Sequence, residues 1–172
     1  MEKYISGADA IFHLAALARV QPSILNPEAF NNINVNGTLN MLTMARDMGI
    51  KRFIYSASSS AYGNVSILPT PESAPLDPLS PYGLQKLIGE QYCRVFSHCY
   101  GLETVSLRYF NVFGKRQDPN GAYAAVIPRW ISAMIKQDKV FINGDGETSR
   151  DFCFIDNVVQ ANLLAANASD FK

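Results

Sequence analysis

The chain has 172 residues, 48% hydrophobic and 17% charged, enough apolar material for one well-filled core and too few charges for a solvated disordered polymer. Fifteen basic residues balance fifteen acidic ones, so no field of one sign steers the protein toward nucleic acid or an anionic membrane surface. The cysteines Cys93, Cys99 and Cys153 lack the short paired spacings of zinc sites and are expected as free buried thiols in a reducing compartment. No metal is expected, no apolar run approaches the roughly 18 residues of a bilayer span, and the protein is expected to be cytoplasmic.

Asp9 to Ala16 is a short apolar run ending in small residues, which suits a buried strand whose end lets a ligand approach closely. Asn26, Pro27 and Glu28 form a helix start, and Val35, Leu39, Leu42 and Ala45 keep helical spacing up to Gly49. Lys51 to Tyr55 reads as a second strand running into the hydroxyl cluster Ser56 to Ser60. The stretch from Gly63 to Pro81 carries five prolines and predicts a long loop, a length usually kept for function. Ser80-Pro81-Tyr82 repeats the cap-plus-proline start, and Leu84, Leu87, Ile88, Tyr92 and Val95 supply an apolar stripe toward Gly101. A third strand is expected over Glu103 to Tyr109 and a polar loop over Asn111 to Tyr123. Beyond it the pattern predicts a helix over Ala125 to Lys136, a strand over Val140 to Asn143 and the tight turn Gly144-Asp145-Gly146. A short strand over Asp151 to Phe154 and a last helix capped by Asp156 complete the order.

Strands alternating with helices of this length imply crossover units, hence an α/β fold: a doubly wound parallel sheet with helices on both faces, in a single domain over residues 1–172. Ligands in such sheets sit outside the carboxyl ends of the strands. Three strands end there in ligand-type residues: Ala15 and Ala16, Ser58 to Ser60, and Tyr109 to Asn111.

Tyr82 and Lys86 lie four residues apart, so on a helix they share a face. A phenol with an ordinary pKa of about 10 is a poor base near neutrality, but a fixed cation favours its phenolate form. Ser58, at the end of the preceding strand, could share a substrate hydroxyl with the phenol and orient the proton transfer. Together these three groups suit oxidation of an alcohol to a carbonyl. His13, at the end of a buried strand, reads instead as a hydrogen-bonded core histidine.

The runs Ser58-Ser59-Ser60-Ala61-Tyr62-Gly63, Ser80-Pro81-Tyr82-Gly83-Leu84-Gln85-Lys86 and Arg108-Tyr109-Phe110-Asn111-Val112-Phe113-Gly114, with His13-Leu14-Ala15-Ala16 and Asn36-Gly37-Thr38, strongly resemble extended short-chain dehydrogenases/reductases. Within them the chain resembles the nucleotide-sugar 4-epimerases of the NAD-dependent epimerase/dehydratase family. Arg116 to Tyr123, Ile127 to Trp130 and Gly144 to Phe152 look most like the branch acting on UDP-N-acetylhexosamines. The resemblance implies a Rossmann-like fold, NAD as cofactor and a UDP-sugar as substrate, inverted at C4 through a 4-keto intermediate. It implies Tyr82 as catalytic acid and base, Lys86 as the residue that holds the nicotinamide ribose and lowers the Tyr82 pKa, and Ser58 as partner of the C4 oxygen. Ala15, Ala16 and Tyr109 would lie along the cofactor. Ser59, Ser60, Asn111, Gln117 and Arg150 would contact substrate, with Asn111 and Arg150 at the diphosphate. It also implies a homodimer through the two long helices, Asn26 to Met48 and Ser80 to Tyr100. Where the related 4,6-dehydratases carry an acid pair after the catalytic hydroxyl, this chain has Ser59 and Ser60, so elimination has no evident acid. The alternatives are another nucleotide-sugar reductase or dehydratase on the same scaffold, or an inactive truncated binding module.

One element of the family pattern is absent. No Gly-x-x-Gly-x-x-Gly turn follows a first strand, and Gly144-x-Gly146 lies in a turn before another strand. The chain is therefore expected to be an internal portion of a longer enzyme, a partial Rossmann-like domain lacking the glycine-rich crossover units and the end of the sugar pocket. Without them, an edge of the apolar sheet is expected to lie open.

Overall fold

Short apolar runs alternating with capped amphipathic stretches give the computed structural model its element order, described over residues 5–120 and 125–169. Gly121 to Tyr123, the end of the polar loop expected from the sequence, lie outside the described residues. The chain divides into two compact units, Met1–Arg108 with Ala161–Lys172, and Tyr109–Gln160.

In the first unit β1 (Ala10–His13) pairs in parallel with β2 (Arg52–Ser58), and β3 (Glu103–Tyr109) follows on the other side of β2. β1 is an edge of this sheet, and Phe12 on it and Leu14 just past its end stand 42% and 62% exposed. β2 is buried from Phe53 through Ser58, as a central strand covered on both faces must be. Its alternate residues Phe53, Tyr55 and Ala57 pack with Leu42, Ala45, Cys93, Phe96 and Leu102 in the core.

The long helix expected over Asn26 to Met48 forms in three parts: α2 (Pro27–Asn31), a π-helical turn (Asn32–Asn36) and α3 (Gly37–Asp47). Asn26 caps it by accepting from the Ala29 amide, and the Gly37 amide reaches back five residues to the Asn32 carbonyl. One short helix, α1 (Val20–Leu25), falls where the sequence pattern gave no signal.

α4 (Pro81–Tyr100) begins and ends as its sequence dictates. Ser80 Oγ accepts from the Gly83 amide, and Gly101 closes the helix at φ 70°. Its orientation differs from the simple amphipathic expectation. Of the expected stripe, Leu84 and Val95 face outward, each 48% exposed, while Leu87, Ile88 and Tyr92 are half-buried. The buried face carries Gly83, Gln85, Lys86, Gly89, Glu90, Cys93 and Phe96. Two glycines explain how a helix with so little apolar bulk seats there. A Cβ on Gly83 would fall 2.6 Å from the Ser60 carbonyl oxygen, and one on Gly89 would fall 2.2 Å from the Tyr55 hydroxyl oxygen. The absent side chains let the helix backbone press onto β2 and the turn after it.

In the second unit β4 (Asn111–Phe113) and β5 (Phe152–Phe154) form a two-stranded parallel ladder. β4 arises within the stretch expected as loop. Phe113 packs edge-on against Phe152 with ring centroids 6.2 Å apart. α5 (Val126–Lys136) forms as expected. The strand expected over Val140 to Asn143 does not: its residues are exposed and unpaired with any strand, so the β-branched run finds no ladder to join. α6 starts at Ile155, placing Asp156 in the first turn rather than at the cap. Cys93 is buried, Cys153 half-buried and Cys99 exposed, so the expectation of buried thiols fails for Cys99.

Candidate active site

β2 ends at Ser58, which caps a short 3-10 turn (Ser59–Ala61): its Oγ accepts from the Ser60 amide at 3.2 Å and donates to Ser60 Oγ at 3.2 Å. Ser59 and Ser60 are half-buried beside it. Tyr82, in the first turn of α4, brings its phenol near enough to Ser58 for that hydroxyl to favour the phenolate. The Tyr82 amide, one of the orphan donors of a helix start, is taken up by Ser23 Oγ at 3.1 Å, so α1 has a part in seating the site.

Lys86 lies one turn further on, almost wholly buried. Its Nζ donates to the Ser56 carbonyl at 2.8 Å and sits 5.1 Å from the centroid of the Tyr55 ring. Burial lowers its pKa from the ordinary 10.5 to about 8. The Tyr82 phenol is instead pushed up, by burial first, and the nearby Ser58 hydroxyl only partly offsets it. The acidifying effect of Lys86 expected from the helical spacing is thus not what sets this phenol: desolvation dominates it, and one N–H of the ammonium goes to β2.

His13 is the core histidine expected. Its Nε2 lies 3.0 Å from Thr38 Oγ1, while the Thr38 hydroxyl donates to the Asn34 carbonyl at 2.6 Å. That hydroxyl proton being spent, His13 Nε2 is the donor. Burial, then the charge of Lys86, lowers the His13 pKa to about 4, so the ring is neutral at physiological pH.

Asn34, which sequence reasoning missed, organises the loop after β1. Its carboxamide accepts from the Leu17 amide at 2.8 Å, donates to the Leu17 carbonyl at 2.9 Å and reaches Gln85 Oε1 on α4 at 3.1 Å. This two-point clamp fixes the backbone just past Ala15 and Ala16, of which Ala15 is exposed and Ala16 half-buried. The available signal was three asparagines at alternate positions, Asn32, Asn34 and Asn36, inside a helical pattern.

The remaining candidates lie at or beyond the end of β3. Tyr109 is its last residue and half-buried. Asn111 is held within the second unit, its Nδ2 donating to the Asp151 carbonyl at 2.8 Å. Gln117 turns inward to the Val112 carbonyl at 3.3 Å and leaves Oε1 buried without a partner. Arg150 is exposed and borders a cavity of about 990 Å³ lined also by Arg129, Trp130, Phe141 and Phe152. Cations and aromatic faces together suit an anionic ligand with a planar ring.

The family model for the NAD dependent epimerase/dehydratase family matches residues 1–172. The chain belongs to this family. A putative UDP-glucose 4-epimerase of Methanocaldococcus jannaschii is 43% identical over 160 residues, 92% of this chain and 52% of the relative. Among solved structures, a UDP-N-acetylglucosamine 4-epimerase from Methanobrevibacter ruminantium M1, in complex with UDP-N-acetylmuramic acid, superposes with TM-score 0.95 at 44% identity. That match covers 99% of this chain and 55% of the other. A Thermotoga maritima UDP-glucose 4-epimerase with UDP-glucose gives TM-score 0.92 at 41% identity, covering 96% and 55%. The chain thus spans about half the length of the epimerases it matches, and its α/β, Rossmann-like fold is theirs.

NAD is the family's cofactor, and the residues present fit it. The backbone leading into the clamped Leu17 carries only methyl side chains, at Ala15 and Ala16, too small to obstruct close approach. Lys86 has three N–H donors, one of them spent on Ser56.

Proposed function

We propose that this chain is the central segment of a NAD-dependent UDP-sugar 4-epimerase, with a UDP-N-acetylhexosamine as the preferred substrate, working in the cytoplasm. The observation that carries this reading is the convergence of the Tyr82 phenol and the Ser58 hydroxyl at the carboxyl end of β2, near enough for the serine to favour the phenolate, with Lys86 one helical turn away. The N-acetylhexosamine preference is supported by the 44% identity to the M. ruminantium enzyme across 99% of this chain.

Ala15, Ala16, Tyr82, Lys86 and Tyr109 would hold NAD, which when bound accepts the C4 hydride of the sugar and returns it to the opposite face. Ser58 positions the C4 oxygen through its hydroxyl, Tyr82 takes the proton from that oxygen and gives it back, and the free N–H donors of Lys86 orient the ribose. Ser59 and Ser60 line the sugar side. Asn111, Gln117 and Arg150 act at the nucleotide, where Arg150 offers a charge-assisted donor to the diphosphate. The experiment is direct: incubate the intact protein with NAD and UDP-N-acetylglucosamine, and follow the sugar by NMR. The C4 epimer is expected. A deoxy or reduced product, or none, refutes the epimerase reading.

The 172 residues expressed alone are expected to bind NAD only weakly. No glycine-rich turn in the sequence offers a helix N-terminus to the pyrophosphate, and the exposed edge of β1 favours association. Tight stoichiometric binding in a spectroscopic titration would contradict this.

A second copy of the chain fits the outward stripe of α4. A groove of about 820 Å³ runs beside it, lined by Pro27, Asn31, Leu79, Leu84 and Ile88, and Leu84 and Val95 would otherwise leave large apolar surface in water. Leu84→Asp with Val95→Asp is expected to convert a dimer to a monomer in light scattering. A wild-type monomer, or an unaltered dimer in the variant, rejects this face as the interface.

A further inference from the structure

Lys86 and Glu90 occupy i and i+4 on the buried face of α4, at 4% and 8% exposure, a spacing at which ammonium and carboxylate ordinarily pair. Among the described residues no ion pair joins them. Glu90 is instead occupied by Arg108 on β3. Arg108 Nε approaches the two Glu90 carboxylate oxygens at 2.9 and 3.0 Å, and Nη2 donates at 2.7 Å. The guanidinium is itself fixed. It lies 4.9 Å from the centroid of the Tyr62 ring, and Nη1 reaches Tyr62 Oη at 3.0 Å and the Glu72 carbonyl at 3.3 Å. Planar, forked and immobilised, it satisfies the carboxylate in a way a second lysine could not.

Lys86 is left with supports that carry no opposing charge. Those supports are the Tyr55 ring and the Ser56 carbonyl from β2; the titratable groups beside it are neutral His13 from β1 and, along its own helix, Tyr82 and the Glu90 carboxylate that Arg108 holds. Tyr55 feels the Glu90 charge, so the carboxylate is within electrostatic reach of the ring on which the ammonium rests.

We propose that Arg108 is a positioning residue that sequesters Glu90 from Lys86, so that the ammonium keeps two N–H donors free for the cofactor ribose and Tyr82. This rests on the role given to Lys86 above. An ammonium bridged to Glu90 would spend a donor on the carboxylate and be drawn along the helix away from Ser56.

The test follows Lys86 itself, by 15N NMR of lysine side chains in the intact protein, with Lys86→Met to assign the signal. In Arg108→Met the freed carboxylate is expected to raise the Lys86 titration midpoint from about 8 by ~1 or more, and to lower kcat about tenfold. Arg108→Met combined with Glu90→Gln should return both. A folded Arg108→Met protein with an unmoved midpoint overturns the proposal even where kcat falls, because lost packing alone then accounts for the loss. A raised midpoint with unchanged kcat supports the sequestration and refutes the role of Lys86 in turnover, which keeps the two readings separable. Should Arg108→Met not fold, Arg108→Lys, which keeps the charge without the fork, is expected to move the midpoint the same way by less; no movement there overturns the proposal equally.

Discussion

Tyr82→Phe in the intact protein is expected to lower the rate of UDP-sugar interconversion by a factor of about 10²–10⁴ while leaving the affinity for the sugar nucleotide almost unchanged. The substitution removes the one oxygen that lies near Ser58 and nothing else. The ring keeps its volume, and the backbone amide keeps its bond to Ser23 Oγ. The stability lost should therefore be no more than about 1 kcal/mol, the upper bound one hydroxyl contact would set. Burial holds the phenol protonated near neutrality, so the wild-type rate should climb toward alkaline pH as the phenolate becomes accessible, and the Phe variant should lose that limb. Calorimetric binding and NMR-followed turnover separate the outcomes. An unaltered rate would remove Tyr82 from the chemistry.

Lys86→Met is expected to do two opposed things: abolish turnover and stabilise the fold at neutral pH by about 1–3 kcal/mol. The folded pKa of about 8 lies below the ordinary 10.5. Between these values the unfolded chain binds the proton more readily, so the stability associated with Lys86 is fully present above about 10.5 and is lost as pH falls to 8. Below that the penalty is constant. Methionine, of similar length and apolar, escapes it, and forfeits only the bond to the Ser56 carbonyl and the contact with the Tyr55 ring. The gain measured by urea unfolding should therefore be largest below pH 8 and vanish toward pH 10.5. A destabilised variant at pH 7 would mean that the ring and carbonyl compensate the buried charge in full.

The order of the elements was largely legible in the sequence because the signals are local. Asn26, Ser80 and Gly101 each mark a helix end through their own backbone chemistry, and the structure uses all three. The placement of Ser58 at the end of a strand and of Tyr82 at the start of a helix was legible too. What local patterns could not supply was orientation. The outward turn of Leu84 and Val95 depends on Gly83 and Gly89 seating the opposite face, a relation between residues distant in sequence. β4 was read as loop because its partner β5 lies some forty residues away. The pKa of Tyr82 was misjudged for the same reason: helical spacing reveals a neighbouring charge, but desolvation is a property of everything packed around the group.

The widened turn at Asn32–Asn36 makes this helix intolerant of shortening. One surplus residue in a turn rotates the segments on either side by about 100° relative to a regular helix, and Asn34 meets Leu17 only in the rotated setting. Deleting a single residue there would leave helical content by circular dichroism essentially intact and still unseat the backbone after β1. Alignments that place a gap in this turn would mistake such a loss for a neutral change in length.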